Sequence, residues 1–186
     1  MNIFYLSNYV DECAKMHVDS HASKMIIEYA QLMSTAHRVL DGEEYYGKTA
    51  NGRKIKRWKL NSNLEQVLYK ASHVNHPSGI WVRQSRANYE YLYELWTHLN
   101  DEFMYRYNKD VPHESYRKLH EALALPPKNI SEGEFTQPTP AMPDDVKDKC
   151  SVMAYRNYYI RYKQHLAKWT KRGAPDWYEQ VGLRTA

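Results

Sequence analysis

The stretch Met16 to Leu40, MHVDSHASKMIIEYAQLMSTAHRVL, is the feature that most constrains how this chain can fold. Its spacing predicts one helix, capped near Asn8, with Asp11 and Glu12 in the first turn and a stop at Asp41-Gly42. With His17 set to 0° and about 100° per residue, His21, Lys24, Glu28, Gln31 and Thr35 all fall within about 40° of it. The flank holds Met25, Leu32, Ala22, Met33 and Ile26. Surface helices carry a broad polar face and a narrower apolar stripe. Here the balance is inverted, so the helix must be wrapped by other elements, with the polar strip lining a cleft.

The rest of the pattern predicts further helices. Ser62 to Glu65 has capping-box spacing, which places a helix over about Asn63 to Ser72. A long helix fits Ile80 to Tyr107, with Tyr89, Leu92, Trp96, Leu99 and Phe103 on one face. Shorter patterns fit His113 to Ala124 and Ser151 to Lys171. Asn2 to Leu6 reads as a strand or extended arm, and the glycine- and lysine-rich stretch after Asp41 as a basic loop. The proline-rich segment 126–143 reads as an ordered loop or lid. The expected fold is therefore all-α: residues 1–186 as a single-domain helical bundle with a short N-terminal extended arm and a Pro-rich loop.

Charge and cysteine usage narrow the function classes. Lys and Arg number 26 against 22 Asp and Glu, a formal +4 that permits a phosphate-bearing partner without requiring one. Two cysteines, Cys13 and Cys150, argue for a reducing compartment and against a disulfide framework. The start lacks the basic and long apolar regions of a signal peptide, and no run of apolar residues is long enough to span a bilayer. A cytoplasmic protein with no membrane partner is expected.

Two chemistries suit the strip. His17 and His21 stand four residues apart, the spacing of a helical metal pair, so His17, His21 and Glu28 form an alternative metal set, with His73 or His76 as further donors. The residue after His17 is Val18, where a zinc protease would need Glu. The second chemistry follows from a resemblance. DSHASKMIIE, Asp19 to Glu28, is similar to the active-site helix of the pyrimidine dimer DNA glycosylases, the phage endonuclease V family, in which a His and the catalytic Glu stand seven residues apart, as His21 and Glu28 do. The basic stretch, the helix after it, Ser72-His73-Val74, the next long helix and the aromatic PDWYEQVG tail also resemble that family.

The resemblance implies a DNA glycosylase and abasic-site lyase that needs no cofactor. Its nucleophile would be the N-terminal main-chain amine, at Met1 or Asn2, attacking C1′ of the damaged nucleotide to form a Schiff base. Glu28 would stabilise the charged intermediate and move protons, and His21 would touch the sugar or phosphate. His17, Lys24 and Gln31 offer further substrate contacts by position, and His73, Arg83, Arg86, Trp177 and Tyr178 complete the expected DNA-binding set. Arg83 and Arg86 stand one turn apart on the expected long helix, where pairing with Glu90 is the competing role. A non-enzymatic DNA-binding module, with the strip as a satisfied polar network, is the remaining alternative.

Overall fold

A computed structural model describes residues 1–182, so the last four residues of the expected 1–186 unit lie outside it. The described chain is mostly helical. It runs as an extended arm followed by α1 (Val10–Met16), α2 (Asp19–Asp41), β1 (Glu43–Lys48), β2 (Lys54–Lys59), α3 (Leu64–Val67), α4 (Pro77–Val82), α5 (Arg86–Tyr107), α6 (Glu114–Leu123), α7 (Ser151–Tyr162) and α8 (Asp176–Gly182). The β1–β2 hairpin corrects the all-α expectation.

Helix α2 is the axis of the molecule. Only Ser20, Lys24 and Ile27 of its 23 residues are exposed. Met25, Ile26, Tyr29, Leu32, Met33 and Ala36 are fully buried and pack on Trp96, Leu92 and Leu99 of α5 and on Trp81 of α4 in one continuous hydrophobic cluster. The Trp96 indole N–H donates to the Ile26 carbonyl at 2.7 Å, so even this buried polar group is satisfied. A hydrogen-bond relay ties α6 to the same axis. His37 Nε2 lies 2.9 Å from the Tyr89 hydroxyl, which donates to the Leu123 carbonyl at 2.9 Å.

The expected helix from Asn8 to Leu40 is two helices, broken at His17 and Val18, both in extended geometry. The cause is Arg106, 89 residues further along the chain. Its guanidinium, 2% exposed, donates to the Lys15 and His17 carbonyls at 2.7 and 2.6 Å and so caps the end of α1. It also pairs with Glu102 at 2.8 Å and Asp19 at 3.2 Å. Asp19 in turn accepts from the Thr170 N–H and hydroxyl. The chain turns because a buried cation takes the carbonyls a continuing helix would have used.

Other boundaries move for similar reasons. The helix expected over 63–72 stops at Val67, because Arg38 collects the Glu65, Leu68 and Tyr69 carbonyls and the Glu65 carboxylate. The long helix expected from Ile80 begins at Arg86, where the Ser85 hydroxyl accepts from the Asn88 N–H as an N-cap. The last helix ends at Tyr162 rather than Lys171. The chain after it crosses to the α1–α2 junction, where Lys168 accepts from the Asp19 N–H and Trp169 donates to the Met16 carbonyl.

The expected basic loop is the β hairpin. Gly42 permits the abrupt exit from α2, since a Cβ there would sit 2.4 Å from the Arg38 carbonyl oxygen. Gly52, at φ +76°, closes the turn. The proline-rich segment lies as a strap tied to the helices by hydrogen bonds. Asn88 and Trp81 hold Thr136, Ser151 holds Pro138, Tyr155 holds Thr139, and the Asp41 carboxylate caps Lys128 and Asn129.

Replacing Arg106 by Met should leave the α1 carbonyls without their donor and the buried Asp19 and Glu102 carboxylates without this cation, at a cost of about 3–5 kcal/mol. Urea unfolding of the variant measures this. A loss below about 1 kcal/mol would show that the junction does not depend on the guanidinium.

Candidate functional site

The N-terminal arm is threaded into the core. Ile3, Phe4, Tyr5 and Leu6 are all buried. Its backbone is held by side chains: the Phe4 N–H donates to the Tyr29 hydroxyl at 3.2 Å, the Leu6 N–H to Cys13 Sγ at 3.3 Å, and Arg156 to the Leu6 carbonyl at 2.9 Å. The arm therefore lies against α2 and α7 with its first residue in a defined place.

That place is beside Glu28. The Met1 main-chain amine stands 3.4 Å from Glu28 Oε2, and Lys24 Nζ stands 3.1 Å from Oε1. The Met1 and Glu28 side chains are only 6% and 14% exposed, whereas that of Lys24 is 66% exposed. One sheltered carboxylate thus carries two amines, one from the main chain and one from an exposed side chain. Asn2 is half-buried next to the amine, and Gln31 is half-buried one helical turn beyond Glu28.

The turn before α4 approaches the same group. His76 caps α4 by accepting the Ser78 N–H on Nδ1, which leaves the proton of the neutral ring on Nε2. Burial, then the positive Met1 amine and His73, hold the His76 imidazole below its ordinary range, with Glu28 opposing. His73 is exposed and sits in left-handed geometry at φ +50°. Arg83 staples this turn by donating to the Val74 and Gly79 carbonyls, both at 2.8 Å, and burial lowers its pKa.

The expected strip divides in two. Lys24, Glu28 and Gln31 stay on the open part, but His17 and His21 belong to the core. The break before α2 takes His17 off the stripe, and it is fully buried. Its Nδ1–H donates to the Cys13 carbonyl at 2.7 Å, and its Nε2 accepts from Tyr29 at 3.3 Å. His21 stacks on Phe4 at 4.2 Å between ring centroids and shares a 2.7 Å hydrogen bond with Tyr159. Both nitrogens of His17 are thus engaged inside, and His21 is tied to Tyr159 through Nδ1. Among the described residues no three His, Cys, Asp or Glu side chains form a metal-holding group, and the set His17, His21 and Glu28 is not assembled.

The remaining expected contacts also have structural work. Arg86 pairs with Glu132 at 2.7 Å and Glu90 at 3.7 Å, on a different helix from Arg83. Trp177 lies against Arg156 and donates to Met16 Sδ, and Tyr178 packs on Trp169 at 4.9 Å. Sequence reading gave His76 only a metal role and missed Tyr29, Phe4 and Tyr159, which hold the arm. No local spacing marks those three, since their partners lie 12 to 138 residues away.

Burial pushes His17 and His37 down to about 4 and His21 to about 3. These are lowered folded values for groups that titrate near 6.5 when unfolded, so the unfolded chain binds the protons first. Stability is then complete above about pH 6.5 and is lost as pH falls towards about 4. By pH 5 each histidine should cost about 2 kcal/mol. Urea unfolding at pH 7.5 and pH 5 measures the difference, and equal stability at the two would contradict neutral core histidines.

No protein-family model matches the chain, and no curated protein or solved structure matches it.

Proposed function

We propose that the chain acts on DNA as an amine-dependent lyase of the glycosylase type. The observation that carries this reading is the Met1 amine held 3.4 Å from the sheltered Glu28 carboxylate. A main-chain amine placed against a sheltered carboxylate suits a nucleophile with an acid–base partner. The similarity of Asp19–Glu28 to the phage endonuclease V helix supports the same assignment.

The chemistry proceeds through the amine. Its nitrogen attacks C1′ of an opened deoxyribose, and water leaves to give an iminium. Glu28 takes a proton from C2′, the electron pair moves into the sugar, and the C3′–O bond breaks with the phosphate as leaving group. Water then hydrolyses the imine and frees the amine. Gln31 and the Nε2–H of His76 border this path and suit sugar or phosphate oxygens. A second reading draws on the Lys24–Glu28 pair at 3.1 Å: the amines and the carboxylate would be a satisfied ion network on a DNA-binding module.

Borohydride reduction of the protein mixed with DNA carrying an abasic site tests both. Under the lyase reading a permanent cross-link forms at residue 1, located by peptide mapping. Glu28→Gln keeps the shape but should lower turnover roughly 10²–10⁴-fold. Acetylating the amine, or adding residues before it, should have a comparable effect. Absence of trapping selects the network reading, and a link at Lys24 would move the nucleophile to that side chain.

A further inference from the structure

The β1–β2 hairpin holds an uneven share of the charge. Lys48, Arg53, Lys54, Lys56, Arg57 and Lys59 face only Glu43 and Glu44 across residues 43–59, a net +4. That equals the formal charge of the whole chain, so the rest is balanced. Both carboxylates stand at the base of the ribbon. Glu43 pairs in register with Lys59 and Glu44 with Trp58, while the tip pairs Lys48 with Lys54. Glu44 pairs with Lys56 at 2.9 Å, and beyond Glu44 the ribbon carries cations and no acid.

The ribbon also covers no core. None of residues 43–59 is buried, and Tyr45 and Tyr46 are 49% and 59% exposed. Residues paired in register share a face, so Tyr45 lies beside Arg57 on one face and Tyr46 beside Lys56 on the other. A lone two-stranded ribbon is marginally stable by itself. This one is tethered at its base, where Arg38 donates to the Trp58 carbonyl at 3.2 Å. A cleft of about 460 Å³, lined by Ile55, Lys56 and Trp58 on one side and by Ser72 and His73 on the other, runs from that base to the turn beside Glu28.

We propose that the β1–β2 ribbon is a docking arm for double-stranded DNA, which it grips through backbone phosphates while the duplex passes across the cleft to the Met1–Glu28 site. The inference deepens the DNA reading above and rests on it for the identity of the site the arm serves. A six-residue ribbon is about 20 Å long, and the major groove admits a two-stranded ribbon. Cations on both faces reach both groove walls, and exposed tyrosines between them suit sugar and base edges. The polar tip, Thr49 to Arg53, lacks the apolar side chains that insertion into an anionic membrane uses.

The test is the salt dependence of binding to an undamaged duplex, read by fluorescence anisotropy. Each phosphate contact contributes a slope of about −0.9 in log K against log salt. A Lys48→Gln, Lys54→Gln, Arg57→Gln triple variant should flatten the slope by roughly 2.7 and weaken binding roughly tenfold or more at low salt. A control triple variant, Lys109→Gln, Arg117→Gln, Lys118→Gln, should leave the slope unchanged. Circular dichroism checks that both variants are folded. An unchanged slope in the ribbon variant, an equal fall in the control, or binding to phosphatidylserine vesicles and not to duplex would each overturn the proposal. Undamaged DNA offers no aldehyde, so this assay does not read the amine. Ribbon-dependent binding without borohydride trapping retains the arm and removes the lyase, while trapping with ribbon-independent binding does the reverse.

Discussion

A buried guanidinium organises this molecule. Arg106 of α5 meets the carbonyls that end α1, the Asp19 carboxylate that starts α2, and Glu102 on its own helix. Arg172 shares Glu102 from the other side at 2.5 Å. Two cations and two carboxylates thus close the junction of α1, α2, α5 and the chain beyond α7. Such a cluster is costly to desolvate and holds only while every partner is present. The break it imposes turns α1 away from α2, and the N-terminal arm lies against the two.

The arm is then held by a chain of hydrogen bonds with fixed direction. The Phe4 N–H donates to Tyr29, Tyr29 donates to His17, and His17 donates to the Cys13 carbonyl. This order requires a neutral His17, which its burial maintains. A histidine that looks like a ligand in the sequence therefore acts as a strut. Its effect on the site is indirect: the arm it anchors carries the main-chain amine to Glu28. Across the same carboxylate, Lys24 supplies an ordinary pair at i, i+4 spacing.

The ribbon and the site stand in contrast. The site is built around a sheltered carboxylate whose charge is matched within a few ångströms, while the ribbon collects an excess of positive charge, with Lys56 paired to Glu44, on an exposed, tethered element. Matched, sheltered charge orients a reacting group, and unmatched, solvated charge acts over a longer range and is screened by salt. The cleft lined by Lys56 and His73 lies between the ribbon and the turn before α4.

Much of the helical content was legible because helix signals are local. The α2 periodicity, the core face of α5 and the α6 span, within a residue at each end, all follow from spacing and capping within a few residues. The Lys24–Glu28 pair was legible for the same reason. The hairpin was missed because its strands bury no face, so no alternation of apolar and polar residues marks them. The helix ends were decided by Arg106 and Arg38, which reach carbonyls 27 to 91 residues away, a distance at which sequence carries no spacing signal. The same holds for the roles of the polar residues. Spacing and composition together determined that this chain would be helical and mildly basic, with a polar strip on its most apolar helix. Only the tertiary structure decided that His17 and His21 face inward, that Glu28 meets a main-chain amine as well as Lys24, and that the net charge stands on one projecting ribbon. Burial and long-range hydrogen bonding assign those roles, and both exist only once the chain is packed.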